Sequence, residues 1–258
     1  MRSGRRRAAT ACLAVLWWPH GAAAESGKVD EVIQELFLGR IVYPQDALEL
    51  QVTAALGGSR AAGATGALAG LEVELGLTDR LQIAAEVPFA WTSTSTERRV
   101  GVGNASLGAM YNPLSDRALG LAVSAGLELA FPAPSRVGAD AWSVEAFAVA
   151  YKVLGRVHLN LKGGVELELP DGEAREFSPA SALGVFAPIG RWVPLLELRA
   201  EPRADPAAVV SAGALWHPAG ELELGAAVQI GLDARSIGGL VIATVELELA
   251  APRRRAAE

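Results

Sequence analysis

Paired glutamates are the residues of this chain whose type and spacing could do chemistry. The Glu-x-Glu pattern occurs four times, as Glu72/Glu74, Glu166/Glu168, Glu221/Glu223 and Glu246/Glu248. On a β-strand, two such carboxylates share one face and lie about 6.5–7 Å apart. Carboxylates in this arrangement can favour cations in a narrow pore, bind Ca²⁺ or serve as a catalytic pair. A fourth interpretation is that they only keep a water-facing surface polar.

Nucleophilic catalysis would need a histidine, and two remain once an export signal is removed, His158 and His217. Neither has an evident serine and acid placed to complete a triad, and the sequence has no Gly-x-Ser-x-Gly elbow. No Ca²⁺-ligand loop or dense Asp/Asn cluster accompanies the glutamate pairs. The sequence therefore predicts no catalytic residue, no metal site and no cofactor, and a barrel hydrolase is the least favoured function.

The period of the hydrophobic pattern shows where the glutamates point. From Val157 to Leu169, polar residues and glycine alternate with apolar residues almost without exception. Period-two alternation predicts a strand that is wet on one face and dry on the other. Similar segments recur from Leu48 to the end of the chain and make about twelve candidate strands. No mature segment is apolar for the length that a spanning helix requires.

The chain begins as an exported protein would. Residues 1–24 combine a basic start, a short apolar run and an Ala-x-Ala site, which predicts a cleavable signal peptide. The only cysteine, Cys12, lies inside it. The signal carries four arginines and no acid, so its removal lowers the formal charge from −6 to −10. An acidic mature chain argues against nucleic acid as a partner.

The predicted connections alternate between short turns and mostly longer loops, with 57–65 and 90–103 among the long ones. Aromatic residues follow the same division. The long-loop ends of strands carry Phe89, Trp91, Phe131, Trp142 and Phe177, and the short-turn ends carry Tyr111, Tyr151, Trp192 and Trp216. Membrane barrels collect aromatic residues in two interfacial girdles, have short periplasmic turns and have longer extracellular loops.

Together these patterns predict an all-β protein, a single closed antiparallel transmembrane β-barrel of about 12 strands of the outer-membrane type. Residues 1–24 would be the signal, 25–46 a periplasmic N-terminal segment, 47–250 the barrel and 251–258 a basic periplasmic tail. Small inward residues suggest space for water or a narrow solute in the lumen. The expected partners are the lipid bilayer, lipopolysaccharide, the outer-membrane assembly machinery and an unidentified small solute.

This topology sorts the glutamates into two groups. An acidic arc at the periplasmic mouth would contain Glu49, Glu72, Glu74, Glu221, Glu223, Glu246 and Glu248, on strands that are neighbours once the barrel closes. A separate group at the outer mouth would contain Glu128, Glu166 and Glu168, with Glu145 if its strand is phased inward. Leu68, Val209, Leu240 and Ile242 are also phased inward, and strand-end misphasing or loop packing is the preferred explanation for them.

Several short motifs carry a resemblance to a known family. The segment Gly76-Leu77-Thr78-Asp79-Arg80-Leu81 is followed by Val87-Pro88-Phe89, by Gly101-Val102-Gly103-Asn104 and by Tyr111. In these motifs the chain resembles the outer-membrane proteins named for the meta-pathway of phenol degradation, over residues 70–131. Asn104 stands where that family usually has Asp. The resemblance implies a barrel and, more weakly, transport of aromatic compounds.

The expected function is therefore an outer-membrane channel or transporter-like barrel for passive or facilitated passage of small solutes, hydrophobic or aromatic ones among them. A structural or adhesive outer-membrane protein without transport is the alternative. Adhesion would require long polar extracellular loops, and only residues 91–103 come close to that description.

Overall fold

The computed structural model describes residues 28–61, 63–133, 135, 137–170, 175–202, 204, 206–232 and 236–249. The predicted signal peptide and basic tail lie outside these residues. The strands are β1 (Glu49–Ala61), β2 (Ala64–Thr78), β3 (Leu81–Thr94), β4 (Arg98–Val102), β5 (Ser106–Asp116), β6 (Leu121–Ala130), β7 (Trp142–Leu154), β8 (Val157–Leu169), β9 (Glu176–Phe186), β10 (Trp192–Ala200), β11 (Ala208–Ala219), β12 (Leu222–Gly231) and β13 (Ile237–Glu248).

These segments form one closed antiparallel barrel of twelve strands, which confirms the predicted fold. Each strand pairs with its sequence neighbours, and β1 pairs with β13 from Glu49↔Glu248 to Arg60↔Ile237. The segments β4 and β5 both pair with β3 and are two parts of one barrel strand, interrupted at residues 103–105. Closure pairs the other described strands on both sides, as a bilayer requires, and only β4 at the rim pairs on one side alone, with β3.

The outer face of the wall is apolar, as the alternation predicts. Leucine, isoleucine, valine and aromatic side chains are exposed along nearly every strand, for example Leu56, Leu127, Leu161 and Val228. An exposed apolar band of this extent has no stable place in water, whereas hydrocarbon solvates it. Within the described part of the chain, no helix is long and apolar enough to cross a membrane.

Connection lengths differ from the prediction at one side of the barrel. β1 and β2 are separated only by residues 62–63, and β3 continues to Thr94 before β4 begins at Arg98. The expected long loops at 57–65 and 90–103 were therefore wrong, because the strand pairing of β1, β2, β3 and β4 continues through most of both segments. On the same edge, the longest connection is 131–141, between β6 and β7.

The segment before β1 differs most from its expected place. Residues 28–47, called the plug below, run into the barrel from the periplasmic end and return to it, rather than lying in the periplasm. Ile33, Leu36, Phe37 and Val42 of the plug are buried and form one cluster with inward residues of the wall. The periplasmic half of the lumen is therefore filled by the plug, a segment that is not one of the barrel strands.

The plug explains why some strands show poor alternation. Inward positions of β7 include Phe147, Val149 and Tyr151, and those of β10 include Val193 and Leu195, all buried. These side chains face the plug rather than water, so both faces of the two strands are largely apolar. A wall that contacts an apolar plug needs no polar stripe, and the period-two signal weakens there.

Candidate functional site: the plug and the lumen around it

Two buried glutamates of the wall accept hydrogen bonds from the plug backbone. Glu197 on β10 accepts from the N–H groups of Phe37, Leu38 and Gly39 at 2.9, 3.0 and 3.0 Å. Glu197 is only 1% exposed. Three successive N–H groups around one carboxylate form an anion-binding nest, which satisfies donors that irregular backbone would otherwise leave unpaired.

Glu223 on β12 does the same for an earlier part of the plug. It accepts from the N–H groups of Gln34 and Glu35 at 3.0 and 3.1 Å and is fully buried. His217 Nε2 lies 3.3 Å from the same carboxylate. Hydrogen bonds to a charged acceptor are about twice as strong as neutral ones, so these two glutamates are major attachments of the plug.

Arg40 lies at the far turn of the plug and contacts carboxylates on two strands of the wall, β2 and β6, that are separated by β3 and the β4/β5 strand. Its guanidinium is 2.7 Å from Glu128 on β6, 3.7 Å from Glu72 and 3.9 Å from Glu74, both on β2. The guanidinium also lies over the Phe147 ring, 5.3 Å from its centroid. One plug cation therefore lies among three wall carboxylates and offsets part of their negative charge, with Glu128 as its direct hydrogen-bonded partner.

Phe37 packs into a depression in the wall. Gly213 on β11 and Gly225 on β12 face it, and a Cβ added at either would lie 2.8–2.9 Å from its ring atoms. No side chain larger than hydrogen fits at these two positions while the ring is in place. Leu240 and Ile242 on β13 pack in the same cluster as Phe37. They therefore face inward because they contact the plug, and strand-end misphasing does not explain them.

A buried aromatic cluster packs against the returning arm of the plug. Tyr43 meets Tyr151 edge to face with ring centroids 5.0 Å apart, and His158 stacks on Phe186 at 5.4 Å. The Tyr151 hydroxyl hydrogen-bonds to His158 Nδ1. Tyr151 was expected in the periplasmic girdle, and that expectation was wrong, because its position on β7 faces the lumen. His158 likewise packs in this cluster, against Tyr151 and Phe186.

A glutamine network fixes the plug where it leaves the lumen. The Gln45 N–H donates to Gln82 at 2.9 Å, and its side chain donates to Gln51 at 2.7 Å. Gln82 and Gln51 in turn donate to Glu74 at 2.7 and 3.1 Å. Gly76 faces the backbone carbonyl of Asp46 so closely that a Cβ there would collide with it.

The residues predicted for the acidic arc lie on four neighbouring strands, β1, β2, β12 and β13, except Glu221, which is in the turn just before β12. The register pairs Glu49 with Glu248, and Gln51 stands between Glu246 and Glu74. Glu223 stands opposite Thr244, one row further into the lumen than Glu221. The members differ in environment, however. Glu74 and Glu223 are buried against the plug, whereas Glu221 and Glu248 are exposed at the mouth.

The predicted outer-mouth group is only partly separate from the arc. Cross-strand pairs Glu128↔Glu145 and Glu145↔Glu166 put three carboxylates side by side on β6, β7 and β8, so Glu145 does face inward. Glu168 lies one inward position beyond Glu166. Because Arg40 contacts Glu128 together with Glu72 and Glu74, the two groups share one counter-charge, which the expected separation did not anticipate.

The other predicted girdle residues face outward. Phe89, Tyr111, Trp142 and Trp192 are exposed on the wall, as is Phe177. Phe131 packs on Trp142 at 5.0 Å between ring centroids, and Trp192 stacks on Trp216 at 5.8 Å. Trp91 lies under the Arg98 guanidinium, 5.5 Å from it. These positions place aromatic side chains at both ends of the apolar band.

Sequence reasoning missed Arg40, Phe37 and Glu197, which are central to the plugged lumen. A usable signal was present in the plug, since Val29, Val32, Ile33, Leu36 and Phe37 are too apolar for a solvated periplasmic segment. The inward apolar residues of β7 and β10 were the complementary signal. Among the described residues, no three His, Cys, Asp or Glu side chains are arranged to hold a metal ion.

A closed twelve-stranded wall with an apolar exterior and a plugged lumen defines the class of outer-membrane barrels. The fold is similar to that of an outer-membrane channel from Pseudomonas putida F1, with a TM-score of 0.63 and 16% identity over 80% of this chain and 98% of the other. The KdgM porin in complex with disordered oligogalacturonate gives 0.57 at 8% identity, covering 76% and 98%. The NanC porin gives 0.54 at 10% identity, covering 75% and 98%.

No protein-family model matches the sequence, and no curated protein matches it. At identities this low, the structural similarity shows the outer-membrane barrel fold alone. These comparisons do not show membership of the phenol meta-pathway family, so the shared motifs described above remain a resemblance.

Proposed function

We propose that this protein is an outer-membrane channel for small solutes whose passage opens when the plug is displaced. The observation that carries the proposal is the manner in which the plug is held. Phe37 packs against the wall, and buried carboxylates bind plug backbone at Glu197 and Glu223, so apart from the chain connection to β1 these contacts are non-covalent. Non-covalent contacts of this kind allow two states, one occluded and one open.

The outer-membrane location is part of the same proposal. The apolar outer face and the aromatic residues at both of its ends support it, together with the barrel channels of similar fold. Membrane fractionation tests it, and we expect a heat-modifiable band in the outer-membrane fraction. Recovery as a soluble periplasmic monomer would overturn the location.

The substrate is the finer part of the proposal. Only the family resemblance supports aromatic or hydrophobic solutes. The described surface above the plug carries six charged side chains, which favours small polar solutes instead. The alternative of an adhesive barrel gains no support from the described loops, because the turn between β1 and β2 contains only residues 62–63.

A reversible cross-link tests the channel proposal on the full chain. A Cβ built at Gly39 in the plug lies 3.8 Å from the Cβ of Ala182 on β9, which matches the usual separation across a disulfide. Beyond the signal the chain has no cysteine to compete. In planar bilayers, oxidised Gly39→Cys/Ala182→Cys should show little conductance, and reduction should restore the wild-type level.

The control places the same bond within the wall. The Cβ positions of Gly70 and Ala55, on paired strands, are also 3.8 Å apart. Gly70→Cys/Ala55→Cys should conduct equally when oxidised and reduced, because this bond leaves the plug free. If the oxidised plug cross-link conducted like wild type, displacement of the plug would not be required and the proposal would fail.

A further inference from the structure

A small cavity lies on the extracellular side of the plug. Its volume is about 200 Å³, and Leu38 at the far turn of the plug forms part of its boundary. The remaining lining consists of small alanine and serine side chains and six charged residues, Glu128, Glu145, Lys162, Glu166, Arg199 and Glu201. This cavity is called the vestibule below. It is the first space that a solute entering from outside would reach before the plug.

Charges of opposite sign lie in different parts of the vestibule. The register places Glu128, Glu145 and Glu166 in one row across β6, β7 and β8. Lys162 on β8 and Arg199 on β10 flank Ala182 in a row nearer the plug. Along β8 the two rows are four residues apart, or about 13 Å by strand rise. The Lys162 side chain spans this interval and reaches Glu145, so Arg199 is the basic residue of the lower row that keeps its charge available to a solute.

Three of these six charged residues have counter-charges within the protein: Glu128, Glu145 and Lys162. Glu128 pairs with Arg40 at 2.7 Å, and Glu145 pairs with Lys162 at 2.8 Å. Glu166 and Arg199 form no ion pair with any other described residue, although both line the vestibule. Among the described residues Glu201 has no ion pair either, so the vestibule holds one unpaired cation, Arg199, and two unpaired carboxylates, Glu166 and Glu201, in a partly enclosed space where a charged ligand group gains more than in open water.

We propose that the vestibule is a binding subsite for a small zwitterion of the amino-acid class, with its carboxylate on Arg199 and its ammonium on Glu166. The planar guanidinium binds a carboxylate with two parallel hydrogen bonds, and a glutamate accepts from an ammonium. The volume corresponds to about seven water molecules at 30 Å³ each, which suits a single small molecule and excludes a chain. This subsite rests on the proposed channel function and names its substrate class.

Calorimetric titration of the full-length protein in detergent tests the subsite without requiring conduction. The probe is L-alanine at pH 7, compared with propionate, which lacks the ammonium, and isopropylammonium, which lacks the carboxylate. L-alanine should bind, and each single-charge analogue should bind about tenfold more weakly or not at all, because one charged hydrogen-bonded contact is lost. Equal binding of either analogue, or no binding of L-alanine, would overturn the proposal.

Variants assign the two contacts. Arg199→Gln and Glu166→Gln should each weaken L-alanine binding about tenfold. The control Glu168→Gln changes a glutamate on the same strand and face that does not line the vestibule, and it should bind like wild type. Unchanged binding in Arg199→Gln or Glu166→Gln would overturn the assignment. Loss of the subsite leaves the cross-link experiment intact, so the two proposals fail separately.

Discussion

At the residue scale, the buried carboxylates of the wall serve as acceptors for backbone that has no secondary structure of its own. Glu197 binds three N–H groups of the plug, and no water-filled lumen would require a glutamate that is 1% exposed. Glutamate in the lumen of this barrel is therefore partly structural. The interpretation of glutamate as a simple wet-face residue fits Glu221 and Glu248 better than Glu197 and Glu223.

Replacing Glu197 by Gln should favour the open state. The amide keeps one acceptor oxygen, but its NH₂ group faces donors and the negative charge is lost. We expect the plug to be held less tightly by about 1.5–3 kcal/mol, the range for hydrogen bonds to charged groups. This corresponds to an open fraction about 10–100-fold higher in single-channel recordings.

The control for this substitution is Glu221→Gln, which changes an exposed glutamate in the turn before β12. It should leave the open fraction unchanged. An equal response of the two variants would show that net charge rather than plug attachment controls opening.

Gly225→Val should expel Phe37 from its depression, because the new methyl groups would occupy the volume of the ring. Overpacking of this kind typically costs about 1–3 kcal/mol. Trypsin treatment in detergent reads out the effect, since cleavage after Arg40 requires the plug to leave the lumen. Ala226→Val, on the neighbouring lipid-facing position, should stay protected. Protection of both variants would contradict the packing described for Phe37.

At the element scale, strand β8 shows how far alternation can be used for prediction. Leu161 and Val165 are exposed to lipid and Glu166 faces the vestibule, in agreement with the period-two pattern. The faces of β7 were harder to assign from the sequence, because its lumen-facing residues Phe147, Val149 and Tyr151 are as apolar as its outer face. The fold could be predicted because hydrocarbon imposes its pattern on every strand. The position of the plug could not be predicted in this way, because the plug is irregular backbone and its apolar residues follow no fixed period.

Arginine substitutions on β8 test the face assignment. Leu161→Arg should destabilise the barrel by about 2–4 kcal/mol if the position is near the bilayer midplane, because the charge would face hydrocarbon. Glu166→Arg, on the same strand, faces the vestibule and should insert normally. Refolding yield into lipid vesicles measures the difference. The opposite order of yields would mean that the strand is phased the other way.

At the scale of the whole molecule, the plug sets the charge of the lumen as well as its width. Arg40 lies among Glu72, Glu74 and Glu128 and offsets part of their negative charge, so the acidic wall is a weaker cation filter while the plug is in place. The predicted filter would act fully only in an open state in which this guanidinium has moved away. Selectivity and opening are then linked through one side chain.

Arg40→Gln should therefore increase preference for cations, because it leaves wall carboxylates without their counter-charge. Reversal potentials in a KCl gradient measure the shift relative to wild type. Adding Glu72→Gln, Glu74→Gln and Glu128→Gln to the same chain should reverse it. Arg117→Gln, which removes an exposed cation paired with Asp30, is the control and should change little. A shift toward anions in Arg40→Gln would contradict the proposed role of these carboxylates.

The contacts that hold the plug join parts of the chain that are far apart in sequence, and this affects how the barrel folds. Phe37 precedes its acceptor Glu197 by 160 residues, and Gln34 precedes Glu223 by 189. The plug can therefore dock only once β10 and β12 have taken their places in the wall, and the wall closes where β1, which directly follows the plug, pairs with β13. Loop-closure entropy makes such distant contacts late and slow. Until then Ile33, Leu36 and Phe37 have no wall to pack against, so the segment that fills the finished lumen is an aggregation-prone apolar surface while the barrel folds.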